Sequence, residues 1–196
     1  YDLLITANHE PYQLTEHVER TFRSCRAAKM PIEQDRAELA EIVEEVVDRN
    51  VPDLDDDGEF MVWISVSGGW NVYAGEPEPP RVIVHVTEIP FARWADDFIE
   101  GRHFVTSSYR QLSNESISPL IKHRSRMHFV LADVEAKQAD PAADPLLLDQ
   151  EGNVAETTIG NVFVVTDGVV RTPPPTNALP GVTRDVKTGV VEIDAP

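Results

Sequence analysis

The spacing of the apolar runs along the chain constrains its fold more than any other feature. Short runs with the apolar, β-branched or aromatic residues that indicate strands lie at 60–66, 81–86, 103–108, 146–149, 153–156, 162–166 and 169–171, with two shorter ones within 1–14. Asp167-Gly168 between the last two runs is typical of a hairpin turn. Because the connections are too short for helical crossovers, we expect antiparallel pairing and an α+β fold.

Three helices are predicted among these strands. Thr15 offers an N-cap for the first, and the second, from about 32 to 50, carries an apolar stripe that includes Leu39 and Val43. The third is predicted at 127–138. The many acidic residues around the stripe of the second helix are therefore interpreted as a solvated helix surface.

Composition and charge exclude several classes of function. The 196 residues include 34 acidic and 17 basic side chains, and the net charge of -17 disfavours a broad contact with nucleic acid or an anionic membrane. No apolar run approaches the ~18 residues that a membrane span needs. Cys25 is the single cysteine, which rules out an intrachain disulfide and a thiolate zinc site. The six histidines show no metal-ligand spacing, so we expect no metal. The single cysteine and the lack of a long apolar run together predict a cytoplasmic location.

Lys122 is the leading candidate for a catalytic residue. It follows the apolar stretch 117–121, which contains Pro119 and is interpreted as a strand, so its amine is expected at a strand end. A lysine that attacks a carbonyl group must be partly desolvated, because only the neutral amine is a nucleophile. The tract 122–126 also contains two arginines, and a basic patch or a plain surface tract is the alternative interpretation.

Two further segments could complete a site around this lysine. Glu156 ends a predicted strand, and a carboxylate in that place could keep a pyridinium nitrogen protonated. The turn at 179–184 presents backbone N–H groups and the Thr183 hydroxyl at a predicted helix start, an arrangement that binds phosphate. Taken singly, the glutamate could be an exposed strand-end side chain and the turn a simple helix N terminus.

Four segments, in this order, resemble the class IV (fold type IV) pyridoxal-phosphate aminotransferases, which include branched-chain and D-amino-acid aminotransferases and aminodeoxychorismate lyase. They are 12–24 (Tyr-Gln-Leu-Thr-Glu-His-Val-Glu-Arg-Thr-Phe-Arg-Ser), Ile121-Lys122, 152–163 around Glu156, and 172–184 with its Thr-Pro-Pro and Leu-Pro-Gly-Val-Thr-Arg motifs. The resemblance covers essentially the whole chain.

The resemblance implies a fold and an assembly. The expected domains are a small N-terminal α/β domain at 1–78 and a larger, β-rich pseudo-barrel domain at 79–196, each partial, because the chain looks incomplete at both ends. The resemblance also implies a homodimer whose small-molecule substrates are an amino acid and a 2-oxo acid. No nucleic acid or membrane partner is expected, in line with the net charge of -17.

The same resemblance implies the site. Pyridoxal 5'-phosphate is the expected cofactor, and Lys122 is the expected catalytic residue, which binds it as a Schiff base. Glu156 would face the pyridine nitrogen, while Arg20 and the backbone at Val182 and Thr183 would hold the phosphate. The implied reaction is transamination of a branched-chain-like amino acid with a 2-oxo acid.

Two departures from the family pattern leave other functions open. Thr157 stands where the family has a glycine after the glutamate, and Met127 stands where branched-chain members have a tyrosine shortly after the lysine. The alternatives are a lyase reaction of the aminodeoxychorismate type and a catalytically inactive binding protein that retains the fold.

Overall fold

The chain divides into two compact units, Tyr1–Arg93 and Trp94–Pro196. The structure, a computed structural model, describes residues 1–55, 57–68 and 79–190, with the backbone alone at 187–190. The sequence predicts a domain boundary between residues 78 and 79. Residue 78 lies outside the described residues, and this boundary stays a prediction.

In its described residues, the first unit combines one antiparallel sheet with two long helices. Its elements are β1 (Asp2–Ala7), β2 (Glu10–Pro11), α1 (Leu14–Ala27), α2 (Arg36–Asn50), a 3-10 turn (Val51–Asp53), β3 (Phe60–Ser67) and β4 (Arg81–Glu88). The strand order is β2-β1-β3-β4, with every described pairing antiparallel. The predicted strands at 60–66 and 81–86 are confirmed.

One face of this sheet and the two helices form the core of the first unit. Val62 and Ile64 of β3 are fully buried, and so are Val43 and Val47 of α2. Alternate residues of a strand point to opposite faces, so the period-2 pattern of β3 aligns its buried side chains with the helical stripe. The predicted apolar stripe of the second helix is therefore confirmed.

The starts of both helices differ from the predicted positions. Thr15 is not the N-cap of α1, because the helix begins at Leu14, two residues earlier than predicted, and its N-cap is Gln13 in a left-handed conformation with φ of 55°. The second helix begins at Arg36 instead of residue 32. Asp35 accepts hydrogen bonds from the N–H groups of Ala37 and Glu38, and the Glu38 side chain accepts one from the Asp35 N–H, which makes a capping box.

The part of the second unit that the structure describes, up to residue 190, contains two small sheets and three helices. After α3 (Phe91–Trp94), which spans the division between the units, its elements are α4 (Asp97–Glu100), β5 (His103–Arg110), α5 (Met127–Ala139), β6 (Ala143–Leu148), β7 (Val154–Thr157), β8 (Val164–Thr166), β9 (Val169–Arg171) and α6 (Val182–Val190). The strand orders are β5-β6-β7 and β8-β9. The hairpin predicted at Asp167-Gly168 is confirmed, with φ of 52° and 78° at these two residues.

The expectation of antiparallel pairing throughout is wrong for one pair of strands. β5 and β6 are parallel, and His103 pairs with Ala143. The residues between them, 111–142, include all of α5, which is enough chain for a helical crossover. None of the helices in the described part of the chain has the length and apolar character needed to cross a membrane.

The stretch 117–121 is not a strand, contrary to the sequence interpretation. It consists of turns, in which Ser113 O accepts a hydrogen bond from Ile117 N and Ser118 O accepts one from Ile121 N. Pro119 has no N–H group to donate to a sheet, and serines favour turns. Apolar composition alone therefore did not define a strand here.

Candidate functional site

Glu156 is a buried carboxylate in the second unit. It lies in β7, where its neighbour Ala155 is also buried, and only 6% of its surface is exposed. Its Oε1 atom accepts a hydrogen bond from Nε2 of Gln111, and its Oε2 atom accepts one from Leu179 N at 3.1 Å. The alternative interpretation as an exposed strand-end glutamate is therefore wrong.

The surroundings of Glu156 make it easy to protonate. Burial raises the pKa of its carboxyl group to about 7, although the Leu179 N–H and the positive charges of Lys122 and Arg126 act in the opposite direction. Desolvation disfavours the charged form of any carboxyl group, and here it outweighs these favourable contacts. Near neutral pH this group can therefore hold or release a proton.

Lys122 lies on the segment between β5 and α5 and is half-buried. It does not follow a strand, because residues 117–121 form turns. Its charge lowers the pKa of Glu156, so the lysine and the carboxylate are close enough to interact electrostatically. The structure thus brings two of the predicted site residues into one region of the second unit.

The predicted anion-binding turn also reaches Glu156. Leu179 links Glu156 to Asn161. Its N–H donates to Glu156, and its carbonyl oxygen accepts from Nδ2 of Asn161 at 2.8 Å. Gly181 passes so close to Asn161 that a Cβ atom there would collide with the amide oxygen. A side chain at 181 would therefore require the Asn161 side chain to move.

Helix α6 begins directly after this glycine. Val182 is buried and Thr183 is exposed, and Asp185 N donates to Gly181 O at 2.9 Å in the first turn. The first N–H groups of a helix have no partner within the helix and carry partial positive charge, so this terminus has the chemistry expected for phosphate. Contact of Val182 and Thr183 with a phosphate stays a prediction.

Arg20 lies in the first unit, on α1, and is buried against Asp2 of β1. Its Nε and Nη2 atoms donate to the two carboxylate oxygens of Asp2 at 2.8 and 2.7 Å, and His17 Nδ1 lies 2.8 Å from Oδ1. Burial raises the pKa of Asp2, but the bonds from Arg20 and His17 outweigh this effect and lower it to about 2. The predicted contact of Arg20 with a phosphate stays a prediction.

Sequence reasoning missed the polar residues that hold the site residues in place. Gln111 directly follows β5 and contacts Glu156, and Arg126 donates to the backbone oxygen of Thr158, two residues after the glutamate. Gln111 belongs to no motif in the sequence. The sequence alone allows a basic patch at 122–126. Within this tract, Arg126 donates to a backbone oxygen of the same unit.

The family model described as amino-transferase class IV matches residues 1–188. This chain belongs to the class IV aminotransferase family. An Arabidopsis thaliana protein, branched-chain-amino-acid aminotransferase-like protein 1, is 31% identical over 179 residues, which are 88% of this chain and 31% of that protein. Family membership and the fold type IV prediction are therefore confirmed.

Solved structures of class IV aminotransferases support the same assignment. A branched-chain amino acid aminotransferase from T.th., solved with pyridoxamine 5'-phosphate, is 26% identical and superposes with a TM-score of 0.79 over 100% of this chain and 67% of its own. A Legionella pneumophila structure assigned as a 4-amino-4-deoxychorismate lyase has a TM-score of 0.77 at 17% identity, covers 99% of this chain and 70% of its own, and shows a shared fold alone. The chain spans between 30% and 61% of the length of the first curated relatives that it matches.

Proposed function

We propose that this class IV aminotransferase chain uses pyridoxal 5'-phosphate to transfer an amino group between a branched-chain-like amino acid and a 2-oxo acid. The observation that carries the proposal is the buried Glu156, whose pKa near 7 is set by burial and by its position near Lys122. Such a group can share a proton with a ring nitrogen at neutral pH. The names of the relatives support the branched-chain-like substrate class.

The residues present fit the cofactor. When bound, pyridoxal phosphate supplies an aldehyde that reacts with amines and a pyridine ring that withdraws electrons from the substrate α-carbon. Glu156 lies in a buried place where a carboxylate can pair with the ring nitrogen, and its own two hydrogen-bond partners are neutral amide N–H groups. An anionic carboxylate there would keep a proton on the ring nitrogen.

Lys122 has two roles in the proposed reaction. Its amine would hold the bound cofactor covalently, and the same amine, once free, would move the proton at the substrate α-carbon. Its half-buried position close to Glu156 supports both roles. Arg20 and the backbone at Val182 and Thr183 are proposed to hold the phosphate, which keeps the reacting carbon next to the lysine.

Absorbance spectroscopy of the purified protein with added pyridoxal phosphate tests the proposal. The wild-type protein should develop the visible band of a lysine–cofactor bond, and borohydride should abolish it. Lys122→Ala should lack this band and the transaminase activity. Lys137→Ala, which changes a largely exposed lysine in α5, is the matched control and should keep both.

Each alternative has its own signature in the same assays. A wild-type protein that takes up no cofactor would favour a binding protein that retains the fold. Release of pyruvate from aminodeoxychorismate, without amination of 2-oxo acids, would assign the lyase reaction instead. We also propose a homodimer, which light scattering of the purified protein would detect.

A further inference from the structure

Gln111 is anchored more firmly than a loop residue needs to be. It follows β5 directly and is only 5% exposed. Its backbone N–H donates to Leu148 O in the neighbouring strand β6 at 2.9 Å, and its backbone oxygen accepts from the side chain of Gln150. These two hydrogen bonds fix the backbone of Gln111 independently of the contacts of its side chain.

The orientation of the Gln111 amide follows from its partners. Its Oε1 atom lies 2.8 Å from Leu112 N and 3.1 Å from Nε2 of His128. A backbone N–H can only donate, so the oxygen of the amide must face Leu112. The NH2 group must then face Glu156, and the amide cannot be flipped without breaking these bonds.

The same constraint defines the state of His128. Because Gln111 Oε1 only accepts, the Nε2 atom of His128 must carry a hydrogen. Burial lowers the pKa of His128, and the nearby His123 and Arg126 lower it further, so the ring is neutral at neutral pH. His128 thus supports the amide as a neutral donor and adds no charge on this side of the carboxylate.

We propose that Gln111 is a positioning residue, which holds Glu156 in one orientation and favours its ionised form through a donated N–H. The charged groups that act on Glu156 are Lys122 and Arg126, while Leu179 donates to its other oxygen. A neutral donor aimed at an oxygen stabilises the carboxylate relative to the acid. The consequence for catalysis rests on the proposed function: an ionised Glu156 leaves the shared proton on the cofactor ring.

Carbon-13 NMR of the full chain without cofactor tests the proposal directly. The side-chain carboxyl carbon of Glu156, assigned by comparison with Glu156→Gln, reports the pKa of this group. In Gln111→Met, which keeps the approximate shape but has no donor, the pKa should rise by about 1 to 2 units, the range expected for loss of a hydrogen bond to a charged group. Gln138→Met, an exposed position in α5, is the matched control and should leave it unchanged.

A second measurement needs no variant at Gln111 and covers the case in which Gln111→Met does not fold. In the wild-type chain, the nitrogen-15 signal of the Gln111 side-chain amide should titrate with the same midpoint as the Glu156 carboxyl carbon. An amide signal that does not respond to ionisation of Glu156 would overturn the proposal, and so would an unchanged pKa in Gln111→Met.

Failure of this proposal can be told apart from failure of the proposed function. If the chain binds no pyridoxal phosphate but the two signals titrate together, the positioning role stands and the aminotransferase function does not. If the chain is an active aminotransferase, Gln111→Met should lower kcat about tenfold for each unit of pKa shift, with little change in KM for the amino acid. An active enzyme whose Gln111→Met variant keeps the wild-type Glu156 pKa and kcat would refute the positioning role alone.

Discussion

Replacing Glu156 by Gln should change how the stability of the second unit depends on pH. The carboxyl group has a pKa of about 7 in the folded chain, against an ordinary value of 4.5. The folded state therefore binds the proton more tightly than the unfolded state does. Above pH 4.5 ionisation begins to destabilise the fold, and the penalty grows until the pH passes about 7.

The size of this effect follows from the two pKa values. Between about pH 5 and about pH 8 the penalty in the wild-type chain grows by about 2 to 3 kcal/mol. Gln has nearly the same shape and does not ionise, so the variant lacks this pH dependence. It also loses one acceptor towards Gln111 or Leu179, which costs about 1 kcal/mol at every pH.

Urea denaturation at several pH values, with wild type and variant measured side by side, checks the prediction. The free energy of unfolding of Glu156→Gln minus that of the wild type should increase as the pH rises. Above pH 8 this difference should stay constant. Glu151→Gln, an exposed position in the same unit, is the control and should follow the wild type. If this difference is also constant between pH 5 and pH 8, the pKa of the Glu156 carboxyl group is not raised to about 7.

Two further predictions concern close packing and a buried ion pair. Gly181→Ala should destabilise the second unit by about 1 to 3 kcal/mol in urea denaturation, because its Cβ collides with the Asn161 amide, and the added Asn161→Ala change should remove most of this loss. Asp2→Asn should destabilise the first unit by about 3 kcal/mol in the same assay at pH 7, because Arg20 loses its charged partner, and an unchanged midpoint would contradict the role of this pair.

The fold was predictable from the sequence wherever local pattern and tertiary structure agree. The strand β3 has a period of 2 that a buried sheet face requires, and α2 has an apolar stripe that covers this face. The parallel pairing of β5 and β6 was not predictable in the same way. Pairing depends on where the chain returns after α5, and no local pattern encodes that return.

The candidate site was predictable in its chemical groups and not in its contacts. Lys122, Glu156 and the turn before α6 are visible as motifs, and the structure brings the carboxylate, the lysine and the turn into one region. The stretch before Lys122 is a set of turns, because Pro119 and two serines override apolar composition. Gln111 was not predictable, because its role depends on the atoms that its amide contacts in the folded chain. A single glutamine outside any motif does not reveal such contacts in the sequence.

The place of Lys122 between β5 and α5 sets when the candidate site can assemble as the chain folds. β5 cannot join its sheet until β6 has formed, and this pairing closes a long loop, which slows folding relative to local hairpins. The carboxylate lies further along still, on β7. A nascent chain that ends within α5 already contains Lys122 but not yet Glu156, so the candidate site can form only after β7 has been synthesised.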